Sequence, residues 1–229
     1  MHESSLSGRI AKAVVEAIYV PMCASCERRG RWVCDECSAR LSPISSLRCH
    51  RCGVIGRRSC ECAYLPPEIN RLISVYPFNG WIRDAIHRLK FEGERARAPM
   101  LASQVAHVEN ELRDSDGIVP VPIHPRRMAV RGFNQSELLA IQISEIYGIP
   151  MVRALERIED RGSQVGRNSP DRWKAVEGVF ACTNVKQVRN RRLIVLDDVI
   201  TTGATVSSCA QELIHCGAAE VRGLSIARG

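Results

Sequence analysis

The thirteen residues 193–205, LIVLDDVITTGAT, restrict the fold more than any other stretch of the chain. Leu193, Ile194, Val195 and Leu196 form a short apolar run, partly β-branched, of the kind that becomes a strand covered on both faces in a parallel sheet. The run stops on Asp197 and Asp198, and after two more apolar residues come Thr201, Thr202, Gly203, Ala204 and Thr205. Val206, Ala210, Leu213, Ile214 and Gly217 then recur at helical spacing. The pattern predicts a strand, a polar loop and a helix. In an open parallel sheet such a loop lies at the carboxyl edge, where ligands bind, and the helix start offers free backbone N–H groups to an anion. Small residues let a phosphate come close to the backbone. Two adjacent carboxylates can accept hydrogen bonds from the 2- and 3-hydroxyls of a ribose. The stretch therefore reads as a site for a ribose 5-phosphate, against the plainer alternative of an Asp-rich turn that only caps a helix.

The fixed order of hydrophobics, acidic pair and Thr/Gly loop resembles the phosphoribosyl-pyrophosphate (PRPP) signature of type I phosphoribosyltransferases. That resemblance implies an α/β fold with a doubly wound, mainly parallel sheet. It also implies that Asp197 and Asp198 hold the ribose hydroxyls of PRPP while Thr201, Thr202, Gly203, Ala204 and Thr205 wrap its 5-phosphate.

Eight of the eleven cysteines lie between positions 23 and 62. They form two similar units, Cys23-x2-Cys26-x7-Cys34-x2-Cys37 and Cys49-x2-Cys52-x7-Cys60-x-Cys62, whose starts are 26 residues apart. A repeat of paired CxxC knuckles points to two structural Zn2+ ions rather than disulfides, because each turn sets two thiolates on one side of a metal. Segments this short cannot bury enough core to fold without the ion. Four cysteines also close the coordination shell, which assigns the metal a structural and not a catalytic role. The second unit ends one residue tighter than the first; His50 is an alternative ligand there, and ligands shared between the units or an iron–sulfur cluster are rival arrangements. Pro66 and Pro67 end the module, so the expected division is a cysteine module over 1–66 and a main domain over 67–229.

The helix-forming N-terminus is interrupted by Lys12 and Glu16, and neither a signal peptide nor a membrane span is read in the chain, so a cytoplasmic protein is expected. The formal charge of +7 suggests an anionic partner. Eight thiolates on two Zn2+ ions would lower it to about +3, so local clusters matter more. Seven arginines (28, 29, 31, 48, 51, 57 and 58) stand among the cysteines. They either neutralise metal–thiolate centres or form a nucleic-acid surface, with single-stranded DNA as the candidate partner. Only 5% of residues are aromatic, which leaves few stacking platforms, Trp32 among them.

In the main domain, residues 72–76 read as a first strand and 81–91 as a helix with Ile82, Ala85, Ile86 and Leu89 inward. A second helix is expected over about 98–112, and a second strand from Ile118. Pro120 and Pro122 require that strand to end in an irregular loop. His124, Arg126, Arg127 and Arg131 follow, a set suited to cradling a pyrophosphate. The stretch VPVP resembles the pyrophosphate loop of amidophosphoribosyltransferases. Residues 131–135, RGFNQ, open a helix with Leu138, Leu139, Ile141 and Ile146 on its inner face. Residues 153–180 turn polar, a last strand is expected over 221–227, and Cys182, Cys209 and Cys216 read as packing residues.

VPVPIHPRR, RGFNQSELLA, LIVLDDVITTGAT and the closing LSIAR, in that order and behind a double cysteine unit, resemble the ComF (ComFC) family of competence-associated, phosphoribosyltransferase-like proteins. The resemblance implies Mg2+-PRPP as ligand, competence proteins as partners, and a catalytic loop that closes over the ligand through Gln164 and Arg172, with Arg126, Arg127 and Arg131 on the departing pyrophosphate. Arg167 and Ala175 depart from that loop's pattern. Thr201 stands where purine-salvage relatives carry an acidic residue, which disfavours a simple purine acceptor.

Overall fold

The computed structural model describes residues 20–44, 49, 69–159 and 178–229. The expectations on the N-terminal helix, His50, Cys52, Cys60, Cys62, Gln164, Arg167, Arg172 and Ala175 lie outside them.

Strand β5 (Arg192–Ile200) occupies the interior of a four-stranded sheet. Its neighbours are β6 (Glu220–Arg228) and β2 (Gly117–Pro120), and β1 (Ile69–Pro77) lies beyond β6. All three pairings are parallel. Leu193, Ile194, Val195 and Leu196 are all buried, as a run without alternation requires. Their side chains divide by parity. Ile194 and Leu196 join a core with Ile82, Ile86 and Leu89 of α2 (Gly80–Phe91) and Leu139 and Ile143 of α5 (Gln135–Tyr147). Leu193 and Val195 join the other core with Val206, Cys209 and Leu213 of α7 (Ala204–His215). Helices on both faces of a parallel sheet make the domain doubly wound.

Several boundaries differ from the sequence expectation. The strand of the acidic motif does not stop at Leu196; the ladder continues through Asp197↔Ser225, Val199↔Ala227 and Ile200↔Arg228. The turn between strand and helix is correspondingly short, because Ala204 and Thr205 already belong to α7. Residues 98–112 are not one helix but α3 (Ala98–Ser103) followed by a 3₁₀ stretch (Gln104–Glu111) kinked at Val108. The arginines after Pro122 lie on a helix, α4 (Pro125–Arg131), rather than in an irregular loop. Pro125 at its first position and His124 Nδ1 accepting from the Arg126 N–H start it, and Gly132 at φ 77 ends it. In α5 the inward stripe is Ser136, Leu139, Ala140 and Ile143, and Ile146 is exposed. The rotation follows from the helix start, where Gln135 and Ser136 both reach the acidic pair.

Two short strands, β3 (Leu155–Arg157) and β4 (Phe180–Cys182), pair antiparallel, and α6 (Val185–Val188) leads into β5. Cys209 is buried, and Cys182 and Cys216 pack at the edge of the same core. The Cys216 thiol is pushed up to about 11 by burial and by Cys182.

The first cysteine unit, with α1 (Asp35–Ser38), is docked on the main domain. Ala24 belongs to the core that contains Trp81 and Ile82, and Val33 and Leu41 pack against it. Arg97 is fully buried between the two parts: it donates to the carbonyls of Trp32 (3.1 Å) and Met22 (3.0 Å), pairs with Glu94, and lies 4.8 Å over the Trp32 ring. No helix among the described residues is long and apolar enough to cross a membrane.

Candidate functional site

The carboxyl edge of the sheet opens into a cleft of about 450 Å³. Asp197, Asp198 and residues 201–205 all line it, so the acidic pair and the small-residue turn share one cavity. Gly203 sits at φ 86 just before α7, a conformation that disfavours any side chain, and Thr202 Oγ1 accepts from the Ala204 N–H at 3.3 Å. The first turn of a helix leaves its N–H groups without intrahelical partners, which suits an anion.

Both carboxylates are held by the start of α5. Asn134 caps that helix, its side chain accepting from the Ser136 N–H and donating to the Val121 carbonyl at 3.0 Å. This places the Ser136 hydroxyl 2.9 Å from Asp197 Oδ1 and the Gln135 amide 3.3 Å from Asp198 Oδ1. Lys90, near the end of α2, pairs with the other oxygen of Asp198, and Arg131 donates to Gln135. Lys90 and Ser136 were not singled out from the sequence. The signal for Lys90 was its place beside the apolar stripe Ile82, Ile86 and Leu89, where a cation borders a buried face.

The two acids differ electrostatically. Burial, and then the charge of Asp198, raise the Asp197 pKa to about 7, against the opposing pull of Lys90 and Ser136. Asp198 is also buried, which alone would raise its pKa, but Lys90, Asp197 and Gln135 together hold it below the ordinary carboxylate value. Near neutral pH Asp197 is thus the member of the pair that takes up a proton, while Asp198 stays ionised against Lys90.

Of the expected pyrophosphate residues, Arg127 lines the cleft, Arg131 approaches it through Gln135, and the exposed Arg126 is not part of its lining. Arg157 lines the cleft from β3.

In the knuckle, the four sulfurs of Cys23, Cys26, Cys34 and Cys37 lie within 4.8 Å of one another, with Cys26 and Cys34 3.6 Å apart. Thiolates at about 2.3 Å from a tetrahedral zinc are ~3.8 Å apart, so donor set and spacing fit that ion. Despite burial, backbone N–H donors lower the Cys23 thiol to about 6, whereas the Cys34 bond and burial push Cys37 up to about 12. A fourth thiolate in this group calls for a cation. Cys49 is buried in the main domain's core with Ile69 and Leu72.

No family model matches the chain. Individual relatives do. The chain is 32% identical over 205 residues to the DNA utilization protein YhgH of Escherichia coli K12, covering 84% of this chain and 89% of that protein. It is 26% identical over 217 residues to competence protein F of Haemophilus influenzae, covering 90% of both. Competence protein ComFC of Streptococcus pneumoniae is 26% identical over 211 residues, covering 90% of this chain and 87% of that one.

The chain belongs to the ComF family.

Solved structures similar to this ComF-family chain are more distant. The allosteric regulatory enzyme of purine biosynthesis overlaps at TM-score 0.39 and 22% identity, over 56% of this chain and a quarter (25%) of that one. A purine phosphoribosyltransferase from Pyrococcus horikoshii overlaps at TM-score 0.37 and 15% identity, over 58% of this chain and 83% of that one. The fold assignment rests on the ComF-family chain's own sheet: parallel strands, helices on both faces, and the acid-pair motif at the carboxyl edge. This is the type I phosphoribosyltransferase-like arrangement expected from the sequence.

Proposed function

We propose that this ComF-family protein is a competence-associated phosphoribosyltransferase-like protein that binds Mg2+-PRPP in the carboxyl-edge cleft. The observation that carries the reading is the lining of one cavity by Asp197, Asp198 and the 201–205 turn. Asp197 and Asp198 accept the ribose 2- and 3-hydroxyls, and the turn with the start of α7 receives the 5-phosphate. Arg127 faces the pyrophosphate, and Arg131, Arg126, Gln164 and Arg172 are assigned to it by the family resemblance. Mg2+, when bound, offsets the charge of the pyrophosphate while keeping several waters. In transfer, the bond from C1 to the pyrophosphate oxygen breaks, pyrophosphate leaves with the bonding pair, and an acceptor lone pair forms the new bond to C1. The protein's contribution is to orient the sugar and stabilise the departing charge. The cysteine module, 1–66, holds two structural Zn2+ ions, at Cys23, Cys26, Cys34 and Cys37 and at Cys49, Cys52, Cys60 and Cys62. It precedes a catalytic-type domain, 67–229, in a protein of the cytoplasm, where thiolates stay reduced.

Calorimetry with PRPP tests this reading. Binding is expected only with Mg2+ and is expected to disappear in Asp197→Asn and Asp198→Asn; Mg2+-independent binding that survives both substitutions sinks it.

A second reading, retention of PRPP or of a nucleotide end without transfer, with the arginine-rich knuckle on single-stranded DNA, is favoured by one feature. Arg28, Arg29 and Arg31 are all exposed on that knuckle. Release of pyrophosphate in the presence of bases, ammonia or DNA separates the two readings: none is released by an adaptor.

A further inference from the structure

The residues from Arg88 to Arg97 touch both the cysteine knuckle and the acidic pair. At one end Arg88 pairs with Glu27 of the knuckle, and two residues on Lys90 pairs with Asp198. At the other end Arg97 donates to the Met22 and Trp32 carbonyls of the knuckle. Arg95 turns the opposite way: it donates to the Gly132 carbonyl at 3.0 Å and lies 4.6 Å over the Phe133 ring. Glu94 joins the two ends, 3.5 Å from Arg88 and paired with Arg97. Gly132 and Phe133 directly precede Asn134, Gln135 and Ser136, which cap α5 and hold the two carboxylates.

The knuckle end of this connection depends on metal. Met22 is next to Cys23, and Trp32 is two residues before Cys34. The Trp32 carbonyl also accepts from the Ala24 N–H at 2.9 Å, and the Cys23 carbonyl accepts from the Glu27 N–H at 3.0 Å. An ion on the four sulfurs fixes these turns, and a segment this short does not keep its backbone without one. When the turns loosen, Arg97 loses its carbonyl acceptors. A fully buried guanidinium does not stay in place without them, and Arg95, separated from it only by Ala96, moves with it. The Gly132 carbonyl and the Phe133 ring are then released, and the α5 start is freed to shift away from the aspartates. Resting on the metal fit and on the PRPP site proposed above, we infer that metal occupancy of the four-cysteine unit controls the start of α5, and through it the affinity of the cleft. Two distinct sites and two arrangements of the 88–97 segment make the coupling reciprocal: the phosphate ligand also tightens the metal.

The test combines calorimetry with Mg2+-PRPP and amide hydrogen exchange on the full-length protein. Cys26→Ser is expected to lose one metal ion, to weaken PRPP at least about fivefold, and to speed exchange over residues 132–136. Arg95 is exposed and far from the sulfurs in role, so Arg95→Ala is expected to fold and keep its full metal content while showing the same two changes. The double variant is expected to lose no more affinity than Cys26→Ser alone, because both substitutions cut one connection. Saturating PRPP should raise the concentration of a zinc-selective chelator needed to remove that ion, by the same factor, in the unsubstituted protein and not in Arg95→Ala. PRPP affinity and exchange unchanged in Cys26→Ser and Arg95→Ala, or additive losses in the double variant, overturn the coupling and leave the PRPP site standing. If Cys26→Ser does not fold, Arg95→Ala and the chelator shift decide. If the unsubstituted protein binds no PRPP, the proposed function falls and exchange alone decides the coupling: faster exchange over 132–136 in both variants upholds it, and unchanged exchange overturns it.

Discussion

Asp197 and Asp198 are adjacent in the chain yet titrate in opposite directions, and this gives the site a pH signature. Burial and Asp198 raise the Asp197 pKa to about 7, so its neutral form is favoured by folding. The associated stability is complete below the ordinary carboxylate value near 4 and is lost as pH rises through about 7. Asp198 is shifted down, so its contribution is present above the ordinary value and lost only in acid. Between pH 5 and 7.5 the ligand-free protein should therefore lose melting temperature, by more than Asp197→Asn does; equal slopes would remove the raised carboxyl from the account. Lys90→Met leaves the buried Asp198 without its cation and is expected to cost on the order of 3 kcal/mol in guanidinium unfolding. Adding Asp198→Asn should recover most of that loss. The acids were legible because they are contiguous in a motif. Their partners were not, since Ser136 and Gln135 lie 61 and 63 residues away in the chain and only packing brings them in.

At the scale of elements, hydrophobic period located the four strands of the parallel sheet and α2 but not the short β3 and β4, and boundaries followed from tertiary contacts. β5 outruns its apolar stretch because β6, a nine-residue strand, pairs beside it as far as Ile200↔Arg228. The proline-rich stretch after β2 hid α4, since a seven-residue helix needs only its caps and its proline start. Arg97 would read from sequence as one more surface cation, whereas it is fully buried between the cysteine knuckle and the main domain. Arg97→Met strips the Met22 and Trp32 carbonyls of their donors and should cost about 3 kcal/mol, measured by denaturant unfolding. Chelation should loosen the same interface: metal analysis is expected to find one ion fewer in Cys23→Ser, together with a lower melting temperature. Gly223 in β6 is a packing glycine: a Cβ there would meet Leu72 Cδ2 and come within 2.6 Å of Val206 Cγ1. Gly223→Ala should cost about 2 kcal/mol, read from the shift in unfolding midpoint.

For the molecule as a whole, the fold was legible because its most informative segment is also its central strand, and a run buried on both faces implies helices above and below. The 153–180 stretch carries composition without period, which is why β3 at its start was not read from the sequence. The sheet also sets an order of events. β6 lies between β1 and β5, and it follows every other strand of the sheet in the chain. Ser74 and Ser225, whose hydroxyls meet at 2.7 Å inside the sheet, are 151 residues apart. A ribosome therefore delivers the piece that joins the two halves after all the others, and until it emerges β5 carries its two aspartates on an open edge. The sheet beneath the cleft is completed by a strand whose partners are made well before it, so long-range pairing comes late in folding.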